Sequence, residues 1–287
     1  MANLALLAAE LLAFEIKAGT RVVLLVDTTL APASRALRLL REAAPSLPVI
    51  CFVSCSKAIS RGLTTAGALV ANHTPEAMVL VGAAAELGAL LDVGAKPEQL
   101  RALTANHRGV EQRCAAAYAV AAELGAALCA AVEAHAARSM ALAFVSPEHA
   151  AAGFTSSTFS FNLPVPAGAS AAQAAALAQR FVDALTAPRP SSALPSSSAG
   201  VGGGGGREVA GHGAPRFKPC VSFGQDNGTV YCTVPATSTQ GAVKAEDKAK
   251  QAVGGVQLVR LSFPPELDTL AAARVLHDAV AAIYSAQ

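Results

Sequence analysis

Two short apolar runs dominate the first part of the chain. Val22 to Val26 and Pro48 to Val53 are continuous, partly β-branched and too short for helices, the pattern of strands buried within a sheet. Between and before them the apolar positions fall at helical spacing instead. Leu4 to Phe14 predicts a helix that stops near Ala18-Gly19, where glycine can adopt a left-handed cap. Ala33 to Ala44, with Leu37, Leu39 and Leu40 among Arg35, Arg38 and Arg41, predicts a second. Helix, strand, helix, strand argues for an α/β fold with a mostly parallel sheet covered by helices.

Further along, a glycine-containing turn after Lys57 leads to another apolar run, Ala68 to Asn72. Thr74 to about Ala137 reads as helical, with leucines recurring among many alanines. The second half changes character. Phe159 to Leu163 alternates as a strand, Ala171 to Leu185 reads as a helix capped by Ser170, and Val256 to Phe263 is strand-like, which together suggest an α+β unit. The expected organisation is a partial large domain with a connecting helix over 1–137 and a small C-terminal domain over 138–287. A flexible Ser/Pro and glycine-rich insert is expected at 188–215.

Both early strands end on polar chemistry. The first ends on Asp27 and the second on Ser54-Cys55-Ser56-Lys57. In open α/β sheets the carboxyl ends of strands are where ligands bind. A lysine beside a buried strand is costly to desolvate, and an uncharged lysine is a nucleophile toward aldehydes. Ser54 and Ser56 could donate to a phosphate, and Asp27 could keep a pyridine nitrogen protonated, the usual protein partners of pyridoxal phosphate. From spacing alone, a surface lysine and a helix-capping aspartate remain the simpler reading. Arg260 stands in an apolar strand-like run and calls for an anionic partner, either a structural carboxylate or the carboxylate of a substrate gripped by its planar fork.

Six motifs in succession extend this reading. Val26-Asp27-Thr28-Thr29-Leu30-Ala31-Pro32 resembles the VDNT stretch of the Cys/Met-metabolism enzymes that use pyridoxal phosphate, the transsulfuration family of cystathionine γ-synthase, γ-lyase and β-lyase. Ser54-Cys55-Ser56-Lys57 is similar to that family's cofactor-lysine motif, and Thr158-Phe159-Ser160-Phe161-Asn162-Leu163 to its SFEL stretch. Val221-Ser222-Phe223-Gly224 resembles VSLG, Pro235-Ala236-Thr237-Ser238-Thr239 resembles PASMT, and Leu258-Val259-Arg260-Leu261-Ser262 resembles LVRLS.

The resemblance covers the C-terminal two thirds of a family member. It implies a fold-type-I pyridoxal-phosphate enzyme acting on cystathionine, cysteine or activated homoserine by β/γ-elimination or γ-replacement, within methionine biosynthesis and cysteine metabolism. It further implies that Lys57 is the catalytic lysine, that Asp27, Ser54, Ser56 and Lys57 bind the cofactor, and that Arg260 binds the carboxylate of a small sulfur-containing amino acid. A homo-oligomer, the family tetramer, is implied, in the cytoplasm or, given a leader, a plastid. The family's ring-stacking aromatic and phosphate loop precede the counterpart of Met1, so a sheet lacking strands and exposing apolar edges is expected. The loop after Lys57 departs from the family, with Arg61-Gly62-Leu63-Thr64-Thr65 in place of its usual residues, and Pro264-Pro265 is also foreign. The alternatives are a truncated or degenerate relative serving as a subunit or binding partner, or another fold-type-I enzyme such as an aminotransferase.

Composition narrows the classes. A formal net charge of +2 with no Lys/Arg cluster gives no drive toward nucleic acid. The opening helix has no basic leader and is interrupted by Glu10 and Glu15, and no uninterrupted apolar run reaches membrane-spanning length, so neither a signal peptide nor a span is expected. The six cysteines show neither paired spacing nor a dense framework, and His73, His107, His135 and His149 are scattered singly, so no metal site is expected. Gly202 to Gly206 lacks the lysine ending and preceding strand of a phosphate loop.

Overall fold

The computed structural model describes residues 4–188, 215–220, 228–234 and 258–285. The glycine run, nearly all of the 188–215 insert, and the Val221–Gly224 and Pro235–Thr239 motifs lie outside the described residues.

Helix α1 (Leu4–Ala18) ends on Gly19, whose φ of 63° closes the cap as its N–H donates to the Glu15 carbonyl. Strand β1 (Leu24–Asp27), helix α2 (Ala36–Ala43), β2 (Val49–Ser54) and β3 (Gly67–Ala71) follow. They form a three-stranded sheet in the order β1-β2-β3. Helices α1 and α2 cover one face, where Ala8, Leu40, Leu47, Val49 and Cys51 are buried together.

The sheet is mixed rather than mostly parallel. β1 pairs with β2 in parallel, but β3 runs antiparallel to β2. The connection 55–66 contains no helix, and a parallel return needs a longer crossover, so the chain folds back on itself. Nor is β1 buried on both faces. Leu25 is 62% exposed, and Phe52 and Leu69, which pair with each other across β2 and β3, are exposed on the same face, although Ile50 between them is buried. This exposure departs from the buried strand that the apolar run Val22 to Val26 suggests.

Helices α3 (Pro75–Leu90), α4 (Pro97–Asn106) and α5 (Val110–Ala136) resolve the long helical stretch into three. α5 is long and apolar enough to cross a membrane by length and composition. Here its Ala121, Leu124, Leu128 and Val132 are buried in the core of the second sheet instead.

That sheet is built from β4 (Leu142–Ala143), β5 (Thr158–Phe161), β6 (Arg216–Pro219), β7 (Thr229–Thr233) and β8 (Val259–Ser262), in the order β4-β5-β8-β7-β6. Helices α6 (Pro147–Ala151), α7 (Ala171–Thr186) and α8 (Thr269–Tyr284) complete the chain. Phe159, Leu261 and Cys232 form one cross-strand row facing α5, α7 and α8. Their neighbours Ser160, Arg260 and Thr233 form a row on the opposite face, because successive residues of a strand point to opposite sides. Ser170 caps α7 as expected. Its hydroxyl accepts from the N–H of Gln173, and the Gln173 side chain returns to the N–H of Ser170.

Candidate functional site

The site is assembled where the parallel strands β1 and β2 end together. Their register sets Asp27 opposite Phe52, so Asp27 and Ser54 leave the sheet at the same rim and on the same face. The exit is stitched tightly. Thr28 donates its N–H to the Phe52 carbonyl at 2.9 Å, and the N–H of Ser54 donates to Thr29 Oγ1 at 2.9 Å. Asp27 is solvent-exposed, and its Oδ1 accepts from the N–H of Thr29 at 2.9 Å, an Asx turn that leaves the second carboxylate oxygen toward solvent.

Beyond β2 the chain turns at once. Ser54 Oγ and Ser56 Oγ lie 2.7 Å apart, so two hydroxyls converge on one spot and could donate to one anionic oxygen cluster. Lys57 is half-buried and lines a cleft with Thr29, Leu30, Pro32, Cys114 and Ser157. The cleft offers only about 10 Å³, the space of one water molecule and far less than an aromatic ring.

The loop carrying Lys57 is held from within and from outside. Arg61 donates its N–H to the Lys57 carbonyl, Ser60 to that of Cys55, and Cys55 to that of Ala66. From outside, Arg113 on α5 reaches in with its guanidinium. Nη2 donates to the Ala58 carbonyl at 2.9 Å and to that of Asn106 at 3.0 Å, and Nη1 to that of Arg108. Burial, then the nearby Arg61 charge, lowers the pKa of Arg113, whose buried Nε has no partner among the described residues. Sequence reasoning did not find Arg113. It sits in no motif, and its partners are carbonyls, which carry no residue-type signal.

Burial works against a nucleophilic role for the thiols beside the lysine. Burial pushes the pKa of both Cys55 and Cys114 up, so both stay protonated near neutral pH.

Arg260 stands in the other sheet. Burial lowers its pKa, as expected for a half-buried guanidinium. It is two residues from Ser262, whose hydroxyl pairs with Thr158 Oγ1 at 2.9 Å. The next residue, Phe263, donates its N–H to the carbonyl of Ser157, which lines the lysine cleft. The structure thus gathers Asp27, Ser54, Ser56 and Lys57 at one rim, and ties the β8 strand of Arg260 to that rim through Ser157.

This α/β architecture is shared with solved cystathionine gamma-lyases and gamma-synthases. The gamma-lyase from yeast superposes with a TM-score of 0.61 at 18% identity, over 98% of this chain and 60% of that one. The gamma synthase from Xanthomonas oryzae pv. oryzae, solved with aminoacrylate and cysteine, gives 0.59 at 19% identity, over 100% of this chain and 61% of that one. The gamma-lyase from Lactobacillus plantarum, complexed with L-serine, gives 0.59 at 18% identity, over 99% and 61%. The chain therefore spans about 60% of the length of these structures. No protein-family model matches the chain. No curated protein matches it by sequence.

Proposed function

We propose that the chain carries the lysine rim of a pyridoxal-phosphate enzyme of sulfur amino-acid metabolism, acting by β/γ-elimination or γ-replacement on cystathionine, cysteine or activated homoserine. What supports this reading is that an amine, a carboxylate and two paired hydroxyls all follow the carboxyl ends of β1 and β2. Their chemistry fits the cofactor's aldehyde, ring nitrogen and phosphate respectively. The enclosed cleft at Lys57 does not hold a ring, so the group would need the open, exposed side of the rim near Asp27.

Each residue then has a role. Lys57 Nζ would hold the cofactor's aldehyde and would be the group to move a proton at the substrate's Cα and Cβ. The Asp27 carboxylate would face the ring nitrogen, and the Ser54 and Ser56 hydroxyls would donate to the phosphate. Arg260 orients the substrate by gripping its carboxylate with two parallel hydrogen bonds. When bound, the cofactor supplies an electron sink for the charge that develops at Cα.

The test is covalent. Substoichiometric pyridoxal phosphate followed by borohydride reduction is expected to label Lys57 in preference to the other lysines, with a new absorbance band that Lys57→Ala abolishes. Labelling spread evenly over the surface lysines, unchanged in Lys57→Ala, would overturn the reading.

A second reading is a non-catalytic relative serving as a subunit or binding partner. The small cleft favours it, because a working site needs room for the ring. Preferential labelling of Lys57 without turnover of cystathionine would leave this second reading standing.

A further inference from the structure

His135 lies in the last turn of α5 and His277 within α8. They are 142 residues apart in the chain, yet their Nε2 atoms approach to 3.3 Å. The rings meet edge-on rather than face to face, with centroids 5.0 Å apart and planes at 67°. The nitrogen-bearing edges are therefore what the two helices present to each other.

The far side of His277 is also arranged. Asp278 Oδ1 lies 3.6 Å from its Nδ1. That contact is longer than a hydrogen bond, so the carboxylate adds negative charge beside the ring without fixing its tautomer. At 3.3 Å the two Nε2 atoms form a hydrogen bond in which one ring donates and the other accepts. The same spacing also suits a cation held by both rings. Metal–nitrogen bonds of about 2.0–2.1 Å meeting at a tetrahedral angle place two nitrogens about 3.3–3.4 Å apart.

Both helices hold this geometry without help from an ion. α5 buries Leu124, Leu128 and Val132, and α8 buries Leu276, Val280 and Ile283, in the same core. The backbone positions of the two histidines are thus fixed before binding, leaving the exposed side chains to be ordered. His277 borders an open groove of about 400 Å³ and His135 one of about 130 Å³, so further coordination positions face water. Among the described residues no three or more His, Cys, Asp or Glu gather around one point, so water completes the shell.

We propose that His135 and His277 form a two-histidine site for a borderline divalent cation of the zinc class, clipping α5 to α8. The site is independent of the lysine rim. An ion held only by the folded pair stabilises the fold by an amount that rises with the logarithm of the free ion concentration once it exceeds Kd.

The test uses the full chain, metal-free, with Zn²⁺ alone as the probe. Zn²⁺ is expected to raise the melting temperature and to protect both histidines from acylation by diethyl pyrocarbonate, read by peptide mass spectrometry. His135→Ala and His277→Ala should each lose at least tenfold in Zn²⁺ affinity. Undiminished Zn²⁺ binding in the double His135→Ala, His277→Ala chain would place the ion on the thiols and overturn the site. Unprotected histidines at millimolar Zn²⁺ in the unaltered chain would overturn it without depending on any variant's folding.

Discussion

Arg113 Nη2 donates a 2.9 Å hydrogen bond to the carbonyl of Ala58, the residue directly after Lys57. A helix of one part of the chain thereby fixes the backbone next to the lysine of another. The contact is charge-assisted on the donor side only, since its acceptors are neutral carbonyls.

Arg113→Ala should therefore loosen the loop 55–66 as well as cost stability. Hydrogen bonds to charged groups contribute about 1.5–3 kcal/mol each, and the side chain makes several. The expected outcome is a lower urea midpoint together with less selective labelling of Lys57 by pyridoxal phosphate. Arg113→Lys should recover part of the stability, because a single ammonium cannot reach all the carbonyls that the fork does. Equal Lys57 labelling in Arg113→Ala would show that the brace does not position the lysine.

Asn72 braces the other end of β2, where the strand begins. It is 2% exposed, and its Oδ1 accepts from Val49 N and Thr74 Oγ1 at 3.0 Å each, while Nδ2 donates to the Leu47 carbonyl at 2.7 Å. Asn72→Ala leaves buried groups without partners, at a cost of about 1–3 kcal/mol for each one left unsatisfied. Asn72→Asp should be worse, since a carboxylate oxygen would face the Leu47 carbonyl. Chemical denaturation of the two variants gives the order directly.

The core of the second sheet makes a third prediction. Phe161 is 1% exposed and packs edge-on against Phe181 of α7, with centroids 5.8 Å apart. Phe161→Ala is expected to destabilise the chain by about 3–5 kcal/mol through lost transfer energy and the cavity left behind. Calorimetry should show the loss, and Phe161→Leu should recover most of it.

Alkaline pH should weaken the fold. Burial pushes Cys232 and Tyr284 up to about 12, and raises Cys51, Cys55, Cys114 and Cys129 as well. Unfolded thiols lose their protons first, from about pH 8.5 upward, so the unfolded state then binds fewer protons than the folded one and stability falls as pH rises. The contribution is complete below that pH and is lost progressively toward about 12 for Cys232 and Tyr284. Urea midpoints should decline steadily above about pH 9. A flat profile there would contradict the burial of these groups.

Features with a local cause were legible in the residues. Gly19 ends α1, Ser170 and Gln173 cap α7 across one turn, and the apolar run before Ser54 becomes β2. Asp27 and the Ser54–Lys57 stretch were readable as rim chemistry because polar residues at the end of an apolar run have few other places to lie. The direction of β3 was not, since strand direction depends on whether a connection packs as a crossover, which apolar spacing does not encode. Nor was the exposure of Leu25, for an apolar run reads the same whether or not a partner covers its second face.

By itself the chain's order of residues determined the elements, the helix caps and the placing of an amine, a carboxylate and two hydroxyls at the ends of two strands. Those are consequences of neighbours within a few positions, where torsional preference and side-chain period act. Only the tertiary structure decided that Arg113 holds the lysine loop, that β8 reaches the rim through Ser157, and that His135 meets His277. Such contacts join residues far apart in the chain, and packing of whole helices and sheets sets them, so no local pattern records them.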